Sequence, residues 1–232
     1  GIQPETDITV MGIRGEESAW FGTAYLGSKL ALGKLTDAEL DNLKRFDTGL
    51  SLREHIRSVG GKPDNIGSDR RHIDLDKYTR YLELHIEQGP ILVASGNPVA
   101  IPTAIRGNLR YPFSRCFGEY THSAGVPRAF RKDAALAVVE LVSKLDARWQ
   151  QLEADGHRDT VFTVGKLFTD QDRHAMTKVP GEISFSLNFG DTDAKTMQGI
   201  DALIQSECKE LEARRNVKFE LGSKVGTDPV VL

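Results

Sequence analysis

The chain has 232 residues, 39% hydrophobic and 27% charged, a make-up that suits a soluble globular protein with one large core or two moderate ones. A formal charge of −3 and a pI near 6.1 give no electrostatic case for nucleic acid or an anionic membrane as partner. No apolar run approaches the roughly 20 residues of a membrane helix, Gly1 to Asp7 show no secretory signal, and Cys116 and Cys208 lack paired spacing, so a cytoplasmic protein with reduced thiols is expected.

In chain order, Ile8 to Ile13 predicts a buried strand that ends at the polar cluster Arg14-Gly15-Glu16-Glu17-Ser18. Thr36 with Glu39 and Ser51 with Glu54 have capping-box spacing and predict helix starts, and Gly60-Gly61-Lys62-Pro63 breaks the second helix. From Tyr81 to Glu87, Leu82, Leu84 and Ile86 alternate against Glu83, His85 and Glu87. A strand there would put the histidine and both carboxylates on one face.

The second half is more regular. Leu109 to Phe117 predicts a strand that Pro112 marks as an edge or a bulge. Val138, Val139, Val142, Leu145, Trp149 and Leu152 follow helical spacing, so a long helix is expected from near Arg131. Thr160 to Phe168 predicts a strand, and Ile183, Phe185, Leu187 and Phe189 alternate as another. Met197, Ile200, Leu203, Ile204 and Leu211 mark a second helix, and Val217, Phe219 and Leu221 a last strand. The fold class is therefore α/β, with a β-α-β-β-α-β unit of ferredoxin-like order inserted into another domain. Residues 1–106 are assigned to the first domain, 107–224 to the inserted unit, and 225–232 to the chain's return into the first.

Several residues suggest chemistry. Adjacent carboxylates at Glu16-Glu17, beside a low-dielectric core, suit a divalent cation, with one as ligand and the other moving protons. A solvated acidic pair opening a helix fits the same dipeptide. His85 is a candidate metal ligand or a hydrogen-bonded core histidine. His122, in Tyr120-Thr121-His122-Ser123-Ala124-Gly125-Val126-Pro127-Arg128, is a surface-loop histidine or a group that polarises a substrate carbonyl. Arg131-Lys132-Asp133 opens the long helix, a structural duty.

These segments occur together in a known order. Gly15 to Gly22, Gly27-Ser28, Glu83-Leu84-His85-Ile86-Glu87-Gln88-Gly89-Pro90, His122 to Asp133, Thr163-Val164-Gly165 and Val179-Pro180-Gly181 resemble the hydantoinase/carbamoylase amidohydrolases. That group includes N-carbamoyl-L-amino acid hydrolase, β-ureidopropionase and allantoate amidohydrolase, within the dinuclear zinc peptidases. The resemblance implies a zinc-peptidase-like catalytic domain, present in part, with an inserted lid and dimerisation domain. It also implies hydrolysis of a C–N bond in an N-carbamoyl amino acid-like small molecule by a homodimer. Two Zn²⁺, or Mn²⁺, Ni²⁺ or Co²⁺, would serve as cofactors. Glu16 would be the general base, Glu17 and His85 metal ligands, Gln88 a substrate contact and His122 an oxyanion donor.

The pattern also departs from the family. Its remaining metal ligands, a His-x-Asp, a bridging Asp and a distal His, have no counterpart here, so these residues are expected to be an inactive, metal-poor piece of a longer product. Thr177 replaces the usual Asn before Val-Ile-Pro-Gly, and Gly190 replaces an arginine that grips the substrate carboxylate. Arg128 is a candidate replacement. An aminoacylase-like or peptidase-like amidase, and a non-catalytic binding or dimerisation protein, stay open as alternatives.

Overall fold

Both capping boxes form in the computed structural model, which describes residues 3–68 and 70–232. Helix α1 (Leu26–Ala31) precedes α2 (Asp37–Asn42) and α3 (Leu52–Ser58). The Thr36 and Ser51 hydroxyls accept the backbone N–H of Glu39 and Glu54, whose carboxylates accept the cap N–H in return. Leu26, Leu35, Leu40 and Leu52 form a small core under these helices. Arg53 ties α3 to α2 through Asp41 at 2.6 Å and Asp37 at 3.2 Å. All of this belongs to the first of two compact units, residues 1–88 and 89–232.

Two expected strands of the first unit are absent. Residues 8–13 and 81–87 carry no strand, and all their apolar side chains but the half-buried Ile13 face solvent, with Val10 91% and Leu82 96% exposed. Alternation supplies a strand's side-chain pattern, but the backbone N–H and C=O groups need a neighbouring ladder. No described segment pairs with either stretch. The single face expected to gather Glu83, His85 and Glu87 is therefore not formed as a sheet face.

The second unit runs α4 (Ile91–Ser95), β1 (Ala104–Ile105), β2 (Gly107–Phe117), β3 (Thr121–His122), α5 (Ala134–Ala154), β4 (Val161–Thr163), β5 (Leu167–Thr169), β6 (Lys178–Val179), β7 (Glu182–Asp191), α6 (Ala194–Arg215), β8 (Lys218–Glu220), β9 (Val225–Thr227) and β10 (Val230–Val231). Its main antiparallel sheet has the order β4-β7-β2-β8, with β5 extending β4's side along β7 and β9 pairing with β2. The core-facing residues of β2 and β7, including Tyr111, Phe185, Leu187 and Phe189, are sealed by α5 and α6. Asp133 caps α5 and Asp193 caps α6 through their carboxylates.

The β2–β7 register shifts between Tyr111 and Ser114, at the expected proline. The strand expected from Thr160 to Phe168 is instead two short ones. Thr163 pairs with Asn188 and Leu167 with Phe185, so three residues span a gap that β7 crosses in two, with Gly165 at the break.

The two compact units divide at Gln88–Gly89, and within the second β1 pairs with β10, Ala104 opposite Val231 and Ile105 opposite Val230. Among the described residues no helix is long and apolar enough to cross a membrane.

Candidate active site

In the first unit the Glu16-Glu17 turn is fixed by its backbone. The Tyr25 N–H donates to the Glu16 carbonyl at 2.7 Å, and the Leu26 N–H to the Gly15 carbonyl at 2.9 Å. This lays the turn against the start of α1. Gly27 permits the approach: a Cβ there would sit 2.2 Å from the Arg14 carbonyl oxygen. Further along, Trp20 stacks on Phe46 at 5.4 Å, and the Arg45 guanidinium lies 4.1 Å over the Trp20 ring. Glu16 is half-buried and Glu17 exposed.

Gln88 reaches back across 71 residues and donates its amide to Glu17 Oε1 at 2.9 Å. Its backbone is left-handed, with φ +54°, a conformation that a non-glycine residue adopts at a cost of order 1–3 kcal/mol. The structure thus joins the Glu16-Glu17 motif to the end of the Glu83–Gly89 motif. His85 is exposed, with Nδ1 2.6 Å from the Ile86 carbonyl. A carbonyl only accepts, so in the neutral ring the proton sits on Nδ1 and Nε2 keeps its lone pair.

Glu16, Glu17 and His85 do not gather into a metal-holding set. Among the described residues no group of three or more His, Cys, Asp or Glu side chains is placed to hold a metal ion. Glu17 and His85 supply two donors, and a tightly held centre needs at least a third. The donor set present here does not fit a dinuclear metal centre.

In the second unit His122 lies on β3, directly opposite Lys178 on β6. Its Nδ1 accepts the Ala124 N–H at 3.2 Å, so in the neutral ring the proton is on Nε2, which becomes a donor. The loop beyond is stitched by Arg131, which donates from Nε to the Val126 carbonyl at 2.9 Å and from Nη2 to the Ser123 carbonyl. Arg128, in a 3-10 turn from Arg128 to Phe130, is exposed.

Sequence reasoning passed over Arg131's hold on this loop, and also Tyr120, Arg173 and Lys178. The Arg173 guanidinium lies 4.0 Å over the Tyr120 ring. Burial raises the Tyr120 hydroxyl above its ordinary pKa, and the nearby Asp170 carboxylate adds to the rise. The pairing of His122 with Lys178 was not legible, because two-residue strands carry no alternation. Gly190 is closely packed: a Cβ there would meet the Gly107 oxygen and a Val161 methyl at 3.0 Å. Beside it, Arg110 Nε donates to Asn188 at 2.9 Å.

No protein-family model matches the chain. It is 30% identical over 237 residues to a ureidoglycolate hydrolase of Arabidopsis thaliana, covering all of this chain and 48% of that one. It is 28% identical over 219 residues to an N-carbamoyl-L-amino acid amidohydrolase of Geobacillus stearothermophilus, covering 94% and 51%. These relatives are hydrolases of carbamoyl and ureido compounds by name. Among solved structures, an amidase of the hydantoinase/carbamoylase family from Burkholderia phymatum matches with a TM-score of 0.73 at 27% identity, covering 94% of this chain and 51% of that one. The homologues and structural neighbours of this chain are hydantoinase/carbamoylase-family amidases. The chain spans about half the length of the curated relatives it matches.

Proposed function

We propose that this chain serves, within the whole protein, the hydrolysis of a C–N bond in an N-carbamoyl amino acid or similar ureido substrate. The opposite tautomers of His85 and His122 carry the reading. His85 presents a lone pair at Nε2, as a metal ligand must, and His122 presents an N–H, as a donor to a developing oxyanion must. Glu16, half-buried on a pinned turn, is the proposed general base. Gln88, locked to Glu17, orients substrate.

Divalent metal, two zinc or similar ions, is part of this reading, with Glu17 and His85 contributing two ligands of a larger set. The reading also takes residues 107–224 as a lid and homodimer interface, and the enzyme as cytoplasmic.

The test is a substrate screen of the whole protein with N-carbamoyl, N-acyl and dipeptide forms of one amino acid, alongside Glu16→Gln. Turnover is expected on the N-carbamoyl form, and loss of the base should lower kcat by about 100-fold or more. Undiminished turnover in Glu16→Gln would remove the assigned base. Preference for the acyl or dipeptide form would move the substrate class.

A further inference from the structure

Around His122 the second unit collects basic side chains that make no ion pair among the described residues. Residues directly opposite in an antiparallel pair share a face, with Cβ atoms about 4.5–5.5 Å apart, so Lys178 stands beside His122. Tyr120, two residues earlier, lies on the same side: its ring has Arg173 at 4.0 Å and the Lys178 ammonium at 5.8 Å. Lys178 Nζ donates to the Arg173 carbonyl at 2.9 Å, which pins the 170–178 loop against this strand pair. The pairing continues through the Ser123 N–H to the Thr177 carbonyl at 2.9 Å.

Two basic side chains nearby have acidic partners. Lys132 pairs with Glu119 at 3.0 Å, and Arg115 pairs with Glu182. Arg131, Arg173 and Lys178 make no ion pair among the described residues; Arg131 is satisfied by carbonyls alone. Of the carboxylates near Tyr120, Glu182 is paired with Arg115, and Asp170 is turned to the Tyr120 hydroxyl at 3.5 Å and the Asp172 N–H at 3.1 Å. Lys178, with His174 and Pro180, also lines an open cleft of about 400 Å³. Unpaired cations held on a built surface beside an open cleft are what a small anion needs.

We infer that Lys178 and Arg173, standing beside His122, form a carboxylate-binding subsite that holds the anionic end of the substrate. The inference rests on the amidohydrolase reading. In an N-carbamoyl amino acid only a nitrogen and the α-carbon separate the carbamoyl carbon from the carboxylate carbon. One molecule can therefore meet the His122 N–H and the Lys178 ammonium across a single strand spacing. The guanidinium of Arg173 offers a fork of donors to the same carboxylate, and Lys178 keeps two N–H groups beyond the one it uses. Both are positioning residues that bind substrate and take no part in bond breaking.

Titration calorimetry on the whole protein tests this with succinamate, in which a C–C bond replaces the scissile C–N bond, and with its uncharged diamide, succinamide. Succinamate is expected to bind the more tightly. Lys178→Met and Arg173→Met should each weaken succinamate about tenfold or more, the scale of one charge-assisted hydrogen bond, and leave succinamide unchanged. Lys178→Arg should restore most of the affinity. Equal weakening of both ligands, no change in either, or no charge preference in the unmodified protein would overturn the subsite. Charge-selective binding without hydrolysis of any N-carbamoyl compound would overturn the proposed reaction alone.

Discussion

Ile183, Phe185, Leu187 and Phe189 alternate with polar residues, and so do Leu82, Leu84 and Ile86. The first set lies sealed on β7, and the second is almost wholly exposed. The difference is in their neighbours. β7 has β2 on one side and β4 with β5 on the other, so its backbone groups are paired and its apolar face meets two long helices. The segment from Tyr81 to Glu87 has no described strand beside it. A period of two therefore states which face a strand would bury if it were paired, and says nothing of whether the pair exists. Among the described residues the second unit closes a core of nineteen buried residues, the first one of four.

The strongest way to break that comparison is to remove one large side chain from each core. Phe189 is 1% exposed and stacks on Phe162 at 4.3 Å. Phe189→Ala is expected to cost about 3–5 kcal/mol, the usual range for an aromatic truncated in a close-packed core. Leu40→Ala in the first unit, also fully buried, should cost about 2–5 kcal/mol and fall low in that range, since a small cluster collapses more easily around the space left. Hydrogen exchange checks both. Phe189→Ala should lower protection of the β2, β7 and α5 amides, and Leu40→Ala that of α2 and α3. Uniform loss over the whole chain in either variant would show a single cooperative body and end the contrast.

What was legible in the sequence follows the same division. The two capping boxes were readable because each closes within four residues. The helices α5 and α6 and the strand β7 were readable because long segments carry many repeats of their period. The split of Thr160–Phe168 into β4 and β5 was not, because one extra residue around Gly165 changes register without changing composition. At the candidate site, residue types pointed to Glu16, Glu17, His85 and His122, and the family resemblance and its departures added Gln88 and Arg128. The amide of Gln88 on Glu17, the two histidine tautomers and the pairing of Lys178 with His122 depend on contacts between distant segments. No local pattern encodes those.

A smaller effect sharpens the contrast at the second unit's entry. Asp133 is buried at the start of α5, where its Oδ1 accepts the Leu136 N–H at 3.0 Å and the Ala134 N–H meets the Pro180 carbonyl. The cap holds α5 next to the His122 loop as well as starting a helix. Asp133→Ala should cost about 1–2 kcal/mol, the upper part of the range for a lost cap. Chemical denaturation would show this as a lower midpoint with an unchanged slope. A cost below about 0.5 kcal/mol would mean that the packing of α5 alone sets its start.

The smallest effect concerns charge on the helical side of that unit, where Glu140 of α5 accepts from Arg214 and Arg215 of α6, the latter through Nε at 2.7 Å. Burial works to raise the Glu140 pKa, but hydrogen bonds from Arg215 and Arg214 outweigh it and hold the carboxyl below its ordinary 4.5. A carboxyl whose folded pKa is depressed binds more protons unfolded than folded across that interval. Its stabilisation is therefore complete above the unfolded value and lost as pH falls through the folded one. Glu140→Gln should lower the melting temperature modestly at neutral pH, and the gap from the unmodified protein should close below about pH 4.5. The effect stays small because Lys144 also bridges the helices, to Glu207 and to Glu210 at 3.0 Å. A gap that persisted unchanged to pH 3 would assign the loss to packing of the Glu140 stem, and the two helices would then be held by their apolar faces alone.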